Sequence, residues 1–371
     1  MHQEILDSGF IPNLICEKLP SSFNDIEILA RELPKVLANE QIVERVEHLE
    51  KDKDISNLNK SELERAMLLY SYIGHAYMWG KKHVENTIPE QLAITWFAIS
   101  KKLERPPILS YASYALNNWK ILDDTKPFDL ENIVIMQNFL GGVDEDWFIM
   151  IHVAIEYEAK VILSNLKSYF LDENLDRPLL EKSLESIKKI NSIMNRMPEK
   201  CDPFIYYNRV RPYIFGWKNN PATPDGVIYE GVEHYNGEPQ LFRGETGAQS
   251  SIVPALDALL GVTHSNDPLR EYLDEMRLYM PKEHRELLNG LDEWTENKRK
   301  NLNIDEESKT IINEIIKEVH TFREKHLEYA RVYIFEQSLT NNSNSNIVGT
   351  GGTPFMKYLD KHLQETVPSN D

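Results

Sequence analysis

Eleven histidines give the chain many chances for metal chemistry, and their spacing removes most of them. There is no HExxH, no HxxxH pair and no Cys-His cluster, which disfavours a zinc hydrolase. Cys16 and Cys201 are the two cysteines, too few for a disulfide framework, a four-thiolate site or CxxCH attachment of a prosthetic group. Cys201 lies in a Lys-Cys-Asp-Pro turn with no local base, and no GxSxG elbow occurs, so nucleophilic catalysis has no support. His326 stands apart. Ile312, Ile315, Val319, Phe322, His326, Ala330 and Tyr333 follow one another at spacings of three and four, which puts His326 on the buried stripe of a long helix. His320 is about 120° away round that helix and cannot share its site. Arg323 lies one turn before His326, on the same side. A porphyrin iron needs only one such protein ligand. A core histidine with satisfied hydrogen bonds would show the same spacing, and spacing does not choose between them.

The elements that must position these residues read as mainly α. Apolar positions recur at three and four residues in most long segments, and alternating runs bounded by hairpin turns are scarce. The pattern predicts helices over Ser61–Tyr77, Pro89–Lys102, Leu130–Leu140, Glu145–Leu171, Leu179–Asn195, Phe204–Trp217, Gln249–Leu260 and Glu306–Gln337. Pro106-Pro107, Gly141-Gly142, Pro198, Pro203 and the stretch 219–237 mark connections. The charge-rich first part ends at these prolines. We therefore expect a small N-terminal helical domain over 1–104 and a large helical domain over 105–371, with a mobile loop at about 338–353. That loop includes the polar run NNSNSN at 341–346, followed by Gly349-Thr350-Gly351-Gly352-Thr353. The glycines lack the Lys-Ser or Lys-Thr and the preceding strand of a phosphate cradle.

A chain of 371 residues can bury a sizeable cofactor. No apolar run approaches the roughly 18 residues of a membrane span, and the first residues lack the pattern of a targeting peptide. A soluble, cytoplasmic protein is expected. The formal charge of −18, with no compact basic stripe, argues against nucleic acid and anionic membranes as partners.

Several strings, in order, resemble the indoleamine 2,3-dioxygenase family, which shares a haem dioxygenase superfamily with tryptophan 2,3-dioxygenase. They are RPPILSYA at 105–112, Asn118-Trp119, DEDWF at 144–148, RPYIFGW at 211–217 and GVIYEG at 226–231. Further on come GAQSS at 247–251 through Asp257, MRLYMP at 276–281 with His284-Arg285, and GTGGT at 349–353. The resemblance covers roughly Leu92 to Leu363 and is weak over the first ninety residues.

The resemblance implies haem b, bound non-covalently, with His326 as the iron ligand, Arg323 at a propionate, Asp257 paired with Arg323, and Thr246 and Gly247 at the haem edge. It implies a substrate wall of Tyr111, Tyr114, Ala115, Phe148 and Tyr206. Arg211 would grip an amino-acid carboxylate, and Thr350 would lie near the ammonium. A planar guanidinium suits a carboxylate in a way lysine does not. The implied reaction inserts both atoms of O2 across C2–C3 of tryptophan or a related indole amino acid, giving N-formylkynurenine, with a separate reductant as partner. Two readings stay open beside it: haem-dependent monooxygenation to a hydroxyindole or oxindole, and a haem sensor without turnover. The chain departs from the family pattern at His152, where mammalian-type members have serine. Tryptophan 2,3-dioxygenases place a histidine in the equivalent pocket. His152 lies one turn after Phe148, so the two share a face and His152 could accept an indole N–H. Tyr114, Tyr206 and Tyr207 are also more polar than the pattern.

Overall fold

The computed structural model describes residues 2–81, 84, 86–262, 268–340 and 349–366. The expected NNSNSN loop lies outside them. Mainly α is the architecture, as the sequence predicts. Four short helices, α1 (His2–Ser8), α2 (Asn24–Arg31), α3 (Leu33–Ala38) and α4 (Ile42–Glu47), precede α5 (Lys60–Trp79). α5 is buried on every face from Leu63 to Met78, which makes it the central rod of the molecule. Asn59 and Glu62 start it with a reciprocal capping box. α6 (Glu90–Leu103) packs on α5.

The second half builds around α7 (Val143–Asp172), α8 (Arg177–Met194) and α14 (Glu306–Ala330), with α8 packed on both of the others. Between them run α9 (Pro203–Ile205), α10 (Arg211–Ile214), α11 (Ile252–Leu260), α12 (Pro268–Arg277) and α13 (Lys282–Asn297). α15 (Glu336–Thr340) and α16 (Phe355–Glu365) follow, with α16 packed on α14. α1 packs on both α7 and α13, and one apolar cluster runs from Leu6 to Tyr333. Among the described residues no helix is long and apolar enough to cross a membrane.

Three expected helices are corrected. Leu130–Leu140 is not helical: Ile133–Ile135 forms strand β3, antiparallel to β2 (Trp119–Ile121), with Trp119 opposite Ile135. The three β-branched residues favour the extended form, and Asn118 holds the end of the pair by accepting from Gln137 N and donating to Gln137 O. The other pair is parallel, β1 (Thr87–Ile88) on β4 (Ile228–Tyr229). Phe204–Trp217 is not one continuous helix. Tyr206–Val210 is a π-helical turn, and the helix stops at Ile214. Pro212 has no N–H to give to the carbonyl four residues back, which disturbs the ladder there. Gly216 and Gly244 then cross so closely that a Cβ on Gly216 would lie 2.0 Å from Gly244 N. Only a glycine pair permits that approach. Similar π-turns occupy Ala112–Leu116 and Arg331–Phe335, the latter interrupting the expected Glu306–Gln337 helix.

Candidate functional site

Buried polar groups of α5 position the loops around the site. His75 donates from Nδ1 to Tyr213 O at 2.7 Å and accepts Leu109 N at Nε2 at 3.1 Å, tying both neighbouring motifs to the central helix. Burial lowers its pKa to about 4, so it holds them as a neutral ring. Arg105 forms a two-pronged buried pair with Glu64 on α5, with Nη1 2.9 Å from Oε1. Gln249 links the motifs in turn, accepting from Tyr111 N and donating to Gly244 O, both at 2.9 Å.

These elements surround a cavity of roughly 720 Å3. Its wall includes Phe148 and His152 from α7, Tyr206, the segment Glu245 to Ala248, Asp257 from α11, Arg323 and His326 from α14, and Thr350. Nine of the thirteen residues singled out in the sequence thus meet at one cavity. Tyr111, Tyr114, Ala115 and Arg211 stand behind the wall rather than on it. Tyr111 meets the ring of His152 edge-on, with centroids 6.0 Å apart, and its hydroxyl donates to Glu156 at 3.0 Å. Tyr114 is 6.3 Å from Phe148, between centroids, and stacks on Tyr72. Ala115 sits in a small buried cluster with Tyr111, Ala112 and Leu116. Arg211 is 7% exposed, its guanidinium over the rings of Tyr207 and Phe215.

Two of the histidines on the cavity wall, His326 and His152, are neutral. His326 is lowered to about 4, first by burial and then by His152 and Arg323. Among the described residues neither of its ring nitrogens has a hydrogen-bond partner. Its Cε1 faces Gly247, 4.0 Å from where a Cβ would stand. Burial also lowers the pKa of His152, whose Nδ1 lies 2.8 Å from Phe148 O. A carbonyl only accepts, so Nδ1 carries the proton and Nε2 keeps its lone pair.

α14 is anchored beside the site by Arg323, which pairs with Asp257 at 2.6 Å and also donates to Thr366. Thr246 starts the turn at Gly247–Gln249, accepting from Ala248 N. Thr350 donates its hydroxyl to Glu245 O and accepts Gly216 N at its own carbonyl, clamping the glycine turn onto the cavity wall. Gly352 closes that turn in the left-handed region at φ +73.

Two acids of the site escaped the reading of the sequence. Glu156 is one turn beyond His152 on α7 and accepts from both Tyr111 and Ser250. Burial raises its pKa to about 7 against the pull of those two donors. Its spacing after Phe148 and His152 was a usable signal. Glu245 is 4% exposed, faces the cavity and is raised to about 8 by burial alone. It lies in a non-repetitive segment where no periodicity reports which way a side chain faces.

The family model for indoleamine 2,3-dioxygenase matches residues 4–369. The likeness therefore extends upstream of Leu92, over the first ninety residues where the motifs alone suggested little. Indoleamine 2,3-dioxygenase 1 of Rattus norvegicus is 34% identical over 95% of this chain and 91% of its own. Indoleamine 2,3-dioxygenase of Saccharomyces cerevisiae is 29% identical over 93% of this chain and 87% of its own. Indoleamine 2,3-dioxygenase 2 of Homo sapiens is 26% identical over 97% and 92%. With a mainly α fold, nine motif residues meeting at one cavity and a match over nearly its whole length, the chain belongs to the indoleamine 2,3-dioxygenase family of oxidoreductases.

Proposed function

We propose that this protein is a haem-dependent dioxygenase that opens the indole ring of L-tryptophan, or a related indole amino acid, between C2 and C3 to give N-formylkynurenine. The observation that carries this reading is the pair of neutral histidines on one cavity, His326 with no hydrogen-bond partner among the described residues and His152 with Nε2 left as an acceptor. A neutral imidazole with a free lone pair is the donor an axial site requires. The residues present therefore fit the group that the family implies. Haem b, held non-covalently on His326, would supply the O2 chemistry, and a separate reductant completes the partners.

The chain's own residues do the rest. The Arg323–Asp257 pair fixes the helix that carries His326. Phe148 and Tyr206, 4.7 Å apart between ring centroids and tilted by 33°, form an aromatic wall for an aromatic substrate. Nε2 of His152 accepts the indole N–H and sets the ring's register in the cavity. Arg211, behind that wall, is the cation for the substrate carboxylate.

Turnover under isotopically labelled O2 tests the reaction. Two labelled atoms in an opened ring are expected, whereas one labelled atom in a closed ring means monooxygenation. His326→Ala tests the ligand: stable haem uptake should be lost while the far-ultraviolet circular dichroism keeps its helical signature. Unchanged haem affinity would overturn the assignment of His326.

A further inference from the structure

Glu245 is a buried carboxyl group on the cavity wall with no counter-charge among the described residues. It is 4% exposed, lines the same wall as Phe148, Tyr206 and Thr350, and none of its side-chain oxygens meets a hydrogen-bond donor or cation among the described residues. The backbone cannot swing it out. Its N–H donates to Ile214 O at 3.2 Å, its carbonyl accepts the Thr350 hydroxyl, and a Cβ on the preceding Gly244 would lie 2.3 Å from Gly216 N. The arginine two residues earlier is committed elsewhere: Arg243 pairs with Glu275 at 2.7 Å and donates to Gly351 O. A buried carboxyl left in this state is costly, and burial alone raises its pKa to about 8. A cation arriving from the cavity would relieve that cost, because a charge-assisted hydrogen bond is strongest where water is excluded. Arg211 and Glu245 both act electrostatically on Tyr206, one lowering and one raising its pKa, so a positive group behind the wall and a negative group on it flank the same ring. That is the arrangement a zwitterion needs.

We propose that the Glu245 carboxylate holds the protonated amino group of the substrate, so that the cavity selects indoles bearing an alkylammonium chain over neutral or anionic ones. This rests on the dioxygenase reading above and adds to it the residue that sets the charge preference.

The test is titration of the haem-loaded protein with tryptophan, tryptamine, 3-ethylindole and indole-3-propionate, read from the haem absorption spectrum. The wild type should bind tryptamine at least about tenfold more tightly than 3-ethylindole, its neutral counterpart. Glu245→Gln should weaken tryptophan and tryptamine by about 30-fold, roughly 2 kcal/mol, and leave 3-ethylindole within about twofold. Glu245→Asp, which keeps the charge, should restore part of the loss. In turnover the Gln variant should raise KM more than it lowers kcat. Haem content and circular dichroism report folding, and if the Gln variant fails to fold, the wild-type preference between the two neutral and charged counterparts decides alone. A wild type that binds all four indoles without preferring the amines overturns the ammonium anchor and leaves the dioxygenase reading standing. Equal loss of all four in the Gln variant does the same. A wild type that responds to none of them overturns the dioxygenase reading and the anchor with it.

Discussion

At the scale of single residues, the tautomer of His152 makes the sharpest demand on the substrate. Nδ1 is used up at the Phe148 carbonyl, and burial keeps the ring neutral, so Nε2 can only accept. An indole N–H satisfies it and an N-methylated indole does not. His152→Phe should keep its haem content, bind tryptophan about 3- to 10-fold more weakly, and lose most of the discrimination between tryptophan and 1-methyltryptophan. Competition binding on the haem spectrum measures it. If the variant still rejects the methylated ligand as strongly as the wild type, the N–H contact is wrong and the discrimination is steric. His152 was legible in the sequence because helical spacing alone places it beside Phe148. The same is true of His326 on its stripe. Spacing could not show that Tyr111 and Tyr114 stand one layer back, since that depends on Glu156 and Tyr72, which lie far away in the chain. Glu245 was invisible for a different reason: a side chain in an extended segment pinned by backbone contacts has no pattern to betray its direction.

At the scale of elements, the buried Arg323–Asp257 ion pair ties the helix that carries His326 to α11, and that pair makes a separable prediction. Arg323 and Asp257 are 5% and 6% exposed. Removing one partner of a buried pair strands the other, at about 3–5 kcal/mol. Asp257→Ala should therefore lower the melting temperature and loosen haem, while Asp257→Leu with Arg323→Met should recover most of the stability of the haem-free protein. Haem retention should stay weak in the double variant, because apolar packing restores the core and supplies no cation at the cavity rim. Full recovery of haem retention would mean that the pair acts only through packing. The long elements of this region, α7, α8 and α14, were readable because each repeats an apolar stripe over many turns. α13 was not among the expected helices, although Leu287, Leu288, Leu291 and Trp294 recur at helical spacing and are all buried. The elements that misled are those where a local exception wins, as at Ile133–Ile135, where strand pairing overrides a helix-like spacing. At Tyr206–Val210 the proline at 212 turns the expected helix into a π-turn.

At the scale of the whole molecule, buried titratable groups of opposite kinds set how stability varies with pH. Glu145, Glu156 and Glu245 are raised from 4.5 to about 8, 7 and 8, chiefly by burial. Between those values the fold holds protons that the unfolded chain has released, so stability must fall as pH rises through them. His75 and His284 run the other way, lowered from 6.5 to about 4 and about 3 by burial. Below 6.5 the unfolded chain takes up protons that these rings refuse, so their contribution is lost as pH drops. The two effects oppose each other on the acid side, and above 6.5 only the carboxyl effect remains. Ionising buried acids in a chain already at −18 adds repulsion of the same sign. The melting temperature of the haem-free protein should therefore decline from about pH 6.5 toward about pH 8.5. Glu245→Gln removes one of the three acids and should flatten that decline, while on the acid side it leaves the histidine effect less opposed. Melting followed by circular dichroism across this range decides it. A stability that holds level or rises from pH 6.5 to 8.5 would mean that the three carboxyls are already ionised in the fold and have found partners in solution.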